Sequence, residues 1–75
     1  MTDNRYKFHV GIDVSKSKLD VAMSHHASVT TFLNSPEGIS ELLKQLPAKK
    51  QTVIVLEATG GYESTVADFL RKKKF

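Results

Sequence analysis

Apolar and polar residues alternate cleanly from Phe8 to Val14. Phe8, Val10, Ile12 and Val14 fall on one side, and His9, Gly11 and Asp13 on the other. That period of two belongs to a strand, and the β-branched residues suit it. Gly11, having no side chain, leaves room for another backbone or a helix to approach. The polar stretch Ser15-Lys16-Ser17-Lys18 reads as a turn. Leu19, Val21 and Met23 then alternate with Asp20, Ala22 and Ser24, which predicts a second strand. After a turn over residues 24–28, Val29, Thr31 and Leu33 alternate with Thr30, Phe32 and Asn34, which predicts a third. Short polar turns between consecutive strands predict an antiparallel meander.

The period changes at Ser35. This serine is a good N-cap, Pro36 suits the first helical position, and Glu37 favours the positive helix end. Ile39, Leu42, Leu43 and Leu46 follow the spacing of one helical face, and Pro47 stops the helix. A polar connector through Lys49 and Lys50 leads to Thr52–Leu56. That run is continuously apolar and β-branched, as expected of a strand covered on both faces. Ala58-Thr59-Gly60-Gly61 reads as a flexible turn. Tyr62, Val66, Phe69 and Leu70 mark a second amphipathic helix, with Tyr62 on its core side. The predicted order is β-β-β-α-β-α: an α/β domain whose mixed sheet is an antiparallel meander plus one parallel strand.

Composition narrows the setting. Seventy-five residues make one small domain or a piece of a larger one, with a core at about residues 8–70 and a basic tail at 71–75. Such a chain buries only about 60–65% of its unfolded surface, so marginal stability is expected. There is no cysteine, which removes disulfides and thiolate metal sites. The start of the chain is polar without a signal-peptide core, and no apolar run exceeds Val53–Leu56. A soluble, cytoplasmic protein with no membrane partner is expected. The net charge of +3 is local: residues 1–68 carry seven Lys/Arg against eight Asp/Glu, and Arg71-Lys72-Lys73-Lys74 supplies the excess. That tail is either a phosphate contact or a solvated helix end whose cations favour the macrodipole.

Candidate chemistry centres on Asp13 and Glu57, each at the end of a predicted strand. Strand ends at one edge of a sheet converge. Two carboxylates there are what Mg²⁺ or Mn²⁺ needs, since hard cations take oxygen ligands. The bland alternatives are an Asp that caps a turn and a Glu that is merely solvated. Asp20 is a surface residue or a third ligand, and Glu63 a first-turn acid. Lys16 and Lys18 either steer a phosphate or belong to a charged hairpin turn. Gly60 and Gly61 either offer backbone N–H groups to a phosphate or simply allow a tight turn. Tyr62 stacks on a base or joins the core. His25 and His26 lack a third ligand at useful spacing, His9 fills a sheet face, and Ser15 and Ser17 have no adjacent base.

Two stretches carry a family resemblance. His9-Val10-Gly11-Ile12-Asp13-Val14-Ser15-Lys16-Ser17-Lys18-Leu19-Asp20-Val21 resembles the opening of DEDD-type insertion-sequence transposases of the IS one-ten family, relatives of the Piv DNA invertases. Val55-Leu56-Glu57-Ala58-Thr59-Gly60-Gly61-Tyr62-Glu63 resembles that family's second motif, and Asn34, Gly38 and Leu42 also fall where it places such residues. The resemblance covers about residues 8–70. It implies an RNase H-like, RuvC-like fold in which the first strand is central and the fourth lies beside it. It also implies DNA as partner, with a structured guide RNA in the full-length family, and four acids holding two Mg²⁺ ions for phosphodiester cleavage and strand transfer. Asp13 would be the first acid, bridging both metals, and Glu57 the second. The third and fourth are later aspartates, and the family's serine-bearing C-terminal domain follows them; the chain reaches Phe75 before either. With half the tetrad, weak metal binding and no activity alone are expected. A fourth strand with an open edge would favour self-association. Two other readings remain. One is a folded, non-enzymatic remnant that binds DNA weakly. The other is an actin-like or sugar-kinase ATPase lobe, although Val14 stands where that fold's phosphate loop wants glycine.

Overall fold

The computed structural model describes residues 6–58, 60–73 and 75. Three strands come first: β1 (Phe8–Val14), β2 (Lys18–Met23) and β3 (Thr30–Leu33). Helix α1 (Pro36–Gln45), a 3-10 turn over Lys49–Gln51, strand β4 (Thr52–Ala58) and helix α2 (Ser64–Lys72) follow. This is the β-β-β-α-β-α order that the periodicity predicts. The sheet order is β3-β2-β1-β4. β1 pairs antiparallel with β2 and parallel with β4, and β2 pairs antiparallel with β3. The first strand is therefore central, and the α/β, mixed-sheet architecture is that of an RNase H-like domain.

One face of the sheet makes the core. Val10, Ile12 and Val14 of β1, Leu19, Val21 and Met23 of β2, and Phe32 of β3 are buried with Ile39 and Leu42 of α1 and Val66 and Leu70 of α2. Both helices thus cover the same side. Burying each of these side chains contributes about 1.5–3 kcal/mol, which matters in so small a domain. Helix α1 begins as its sequence dictates. Ser35 is extended, its Oγ accepts the Gly38 N–H at 3.1 Å, and Pro36 opens the helix. Gly38 is buried against the end of β3, where an added Cβ would run into the Leu33 carbonyl. Leu46 returns to extended backbone and Pro47 follows.

Three expectations change. Among the described residues, β4 is covered mainly on one face: Ile54 and Leu56 pack on the core, while on the other side Val53 is half-buried and Val55 57% exposed. Its apolar run reflects β-propensity and the parallel pairing rather than two-sided cover. Tyr62 is not in the core. Gly60 and Gly61 adopt φ of 78° and 77°, which turns the chain away and delays the helix to Ser64, so Tyr62 stands in the turn, 44% exposed. No part of the described chain approaches Gly11, which lies on the uncovered face. Thr59, Lys74 and residues 1–5, which include most of the polar start, lie outside the described residues. Among those described, no helix is long and apolar enough to cross a membrane.

Candidate active site

Strand pairing decides which polar residues meet. The parallel β1–β4 register sets Asp13 opposite Glu57. The antiparallel β1–β2 register sets Asp13 opposite Asp20, and the β2–β3 register sets Asp20 opposite Thr31. Val14 and Leu19 point into the core, so their neighbours Asp13 and Asp20 point away from it. A row Thr31–Asp20–Asp13–Glu57 therefore crosses all four strands on the uncovered face. Directly opposite residues hold their Cβ atoms about 4.5–5.5 Å apart, within reach of one small cation between two carboxylates. Asp20 and Glu57 are two strand spacings apart, roughly 10 Å, too far to share an ion closely.

The central pair is the expected Asp13–Glu57. The third acid behaves differently: Asp20 Oδ1 accepts a 2.7 Å hydrogen bond from Thr31 Oγ1, which turns it toward β3. Among the described residues, no group of three or more His, Cys, Asp or Glu is arranged to hold a metal ion. The row borders a shallow concavity of about 540 Å³ whose lining includes Gly11, Ala22, Val29 and Val55 with Asp13, Asp20 and Glu57. Asp13 and Glu57 are exposed there.

The loops that follow the two acids share this edge. The β1–β2 turn is closed by Ser15: its N–H and Oγ donate to the Lys18 carbonyl at 3.0 and 3.1 Å, and its Oγ accepts the Lys18 N–H at 3.3 Å. Lys16 and Lys18 stand exposed on this turn, next to Asp13 in sequence. Gly60, Gly61 and exposed Tyr62 form the loop between Glu57 and α2, and Glu63 is the residue at the helix cap. The side chain of Asn34, at the end of β3, reaches both loops.

The basic tail lies elsewhere. Helix α2 starts at this edge and runs back about 13 Å, at 1.5 Å per residue. Lys73 and Phe75 line a cavity with Lys44 and Lys49, at the far end of the fold. Arg71 is already engaged, its Nη1 2.8 Å from Asp68 Oδ1, though both are exposed and the pair adds little. Lys72 and Lys73 remain at the helix C-terminus, where their charge favours the macrodipole, and Lys74 lies outside the described residues. The candidate nucleic-acid residues thus divide into two groups: Lys16, Lys18 and Gly60–Tyr62 beside the acids, and Arg71–Lys73 at the opposite end. In the β2–β3 turn the His25 ring meets His26 and the β1 residue Phe8 edge-on, apart from the acids.

Sequence reasoning left Asp20 between two readings and gave Asn34 no structural role. The pairing of Asp20 with Asp13 was readable in principle, because the Ser15–Lys18 turn fixes the hairpin register. The reach of Asn34 was not, since its partners lie 19 and 28 residues away.

A comparison with curated protein sequences returned no match. The family model for DEDD transposases of the IS110 type, described as Transposase, matches residues 10–75, which takes in Asp13, Asn34, Gly38 and Glu57. With nearly the whole chain matched, this protein belongs to the IS110-type DEDD transposase family.

Proposed function

We propose that the Asp13–Glu57 pair is the first half of a metal-dependent phosphodiester cleavage and strand-transfer site acting on DNA. The observation that carries this reading is the parallel register that sets the two carboxylates side by side on an open sheet face. Among the described residues, neither carboxylate makes a hydrogen bond that would give it a structural purpose, whereas that of Asp20 does. The donor set suits Mg²⁺ or Mn²⁺: two hard oxygen ligands, no sulfur, and room for water and phosphate to complete six-fold coordination. A bound ion would supply Lewis-acid stabilisation of charge on the phosphodiester oxygens. The chain's own residues then orient the strand. Lys16 and Lys18 attract the phosphates from the turn beside Asp13. The Gly60–Gly61 backbone comes close because no side chain intervenes, and exposed Tyr62 offers a ring for a base or sugar to stack on. Arg71, Lys72 and Lys73 supply sequence-independent attraction at the far end, and Lys74 adds its charge to the same run of sequence. The family's two later aspartates would complete the tetrad around this pair. A guide RNA belongs to the same reading for the full-length family.

Titration of the ¹⁵N-labelled chain with Mn²⁺ tests the pair. Paramagnetic broadening should centre on the amides of Asp13 and Glu57 and vanish in Asp13→Asn. Diffuse broadening over all acidic residues would remove the metal reading. The ATPase-lobe alternative loses support because Val14 is a buried core residue still within β1. A phosphate loop could not begin there without emptying part of the core. Self-association is the remaining element of the proposal. Strand β4 ends the sheet among the described residues, and an unpaired edge is a template for another chain. Sedimentation at rising concentration should show dimers; a monomer throughout would remove that element.

A further inference from the structure

Among the described residues, Asn34 is the one side chain that hydrogen-bonds to both loops following the two acids. Its Nδ2 donates to the Ser15 carbonyl at 2.8 Å and to the Tyr62 carbonyl at 3.3 Å. Its backbone N–H donates to the Ser17 carbonyl at 3.0 Å. Ser15 lies two residues beyond Asp13, and Tyr62 five beyond Glu57. The amide orientation follows from chemistry, since both partners are carbonyls and can only accept. Two donors on one planar nitrogen are needed to hold two carbonyls at once. Aspartate and leucine have none, and glutamine carries them on a longer stem.

A second observation separates this residue from ordinary structural polar groups. Asn34 Oδ1 is buried and accepts no hydrogen bond from the described residues. The amide is thus held through its nitrogen alone among the described residues, so its two donor bonds to the loop carbonyls fix how it is oriented. The two carbonyls that the amide ties are on exposed loops, where water could replace it. The bonds therefore do little for the fold and much for the placement of the loops.

We propose that Asn34 is the positioning residue of the Asp13–Glu57 pair: its amide ties the loop after each acid to a single point and so sets the spacing at which the two carboxylates meet a cation. The metal part of this inference rests on the function proposed above; the tie between the loops does not.

Two variants of the whole chain test it. Asn34→Leu keeps the volume without donors or charge. Asn34→Asp keeps the shape, removes both donors and adds a negative charge, which by itself would tighten cation binding. Amide hydrogen exchange of residues 15–18 and 60–63 reads the tie, and the Mn²⁺ concentration giving half-maximal broadening at Asp13 and Glu57 reads the positioning. In both variants the loop amides should exchange at least about tenfold faster while the strand amides of β1 and β4 keep their protection. The Mn²⁺ midpoint should rise several-fold in both, against the charge effect in Asn34→Asp. Unchanged loop exchange in a folded variant overturns the tie. Looser loops with an unchanged Mn²⁺ midpoint overturn the positioning role. If the unsubstituted chain shows no selective broadening, the metal reading fails, and loop exchange alone decides whether Asn34 ties the loops. Should Asn34→Leu unfold, Asn34→Asp carries the same readings.

Discussion

The two faces of the sheet are built from the same strands yet serve opposite ends. Inward, Val10, Ile12, Val14, Leu19, Val21, Met23 and Phe32 lie under α1 and α2 and are nearly inaccessible. Outward, Gly11, Asp13, Ala22 and Glu57 are exposed, and so are the apolar Val29, Leu33 and Val55. One residue's step along a strand separates a position that holds the domain together from one that can meet a ligand. The outer face combines carboxylates, small residues and uncovered apolar side chains. That mixture does not stabilise a solvated surface, so its residues are free to be chosen for chemistry.

The comparison breaks most visibly through the core. Ile12→Ala or Leu42→Ala should cost about 2–5 kcal/mol. Val55→Thr or Leu33→Thr on the outer face should stay within about 0.5 kcal/mol. Urea melts of the four variants measure the contrast; equal losses on both faces would mean that the outer face is covered in solution. Gly38→Ala probes how tightly the helix layer sits on the sheet. The new methyl group must displace the Leu33 backbone, and overpacking of this kind costs about 1–3 kcal/mol. A thermal melt unchanged from the parent would show that α1 has room to shift. Ser35→Ala removes the hydrogen bond to the Gly38 N–H and should cost about 1 kcal/mol, read from the same melts.

The smallest effect has the opposite sign. Asp13 faces Asp20 on one side and Glu57 on the other, and like charges directly opposite each other destabilise by about 0.2–1 kcal/mol. Asp13→Asn should therefore raise the melting temperature slightly in low salt, and the gain should shrink as added salt screens the charges. The same substitution should abolish selective Mn²⁺ broadening. A site retained against stability is the expected mark of function on this face. If Asp13→Asn lowers stability instead, the acid has a structural partner and the contrast between the faces weakens.

Much of this is legible in the sequence. The limits of β1, the Ser35–Pro36 start of α1, and the side of each strand of the β1–β2 hairpin follow from alternation and capping chemistry. Asp13 and Glu57 stand out because a carboxylate ending an apolar strand has no packing reason. The failures share a cause. The apolar run of β4 does not say whether its second face has a neighbour. The spacing of Tyr62 with Val66 fits a helix that the left-handed Gly60–Gly61 turn starts two residues later. In β3, alternation leaves both Phe32 and the pair Val29 and Leu33 as candidates for the core. Pairing with β2 sets Phe32 opposite buried Leu19 and sends the other two outward.

The sequence by itself determined the local periods, because helix and strand repeats are properties of the backbone and show in any stretch of chain. It also determined which residues are chemically able to hold a cation. The tertiary structure alone decided the row of Thr31, Asp20, Asp13 and Glu57, the bareness of one face, and the meeting of two distant loops on Asn34. Those depend on register and cover, and both are set by segments far apart in the chain.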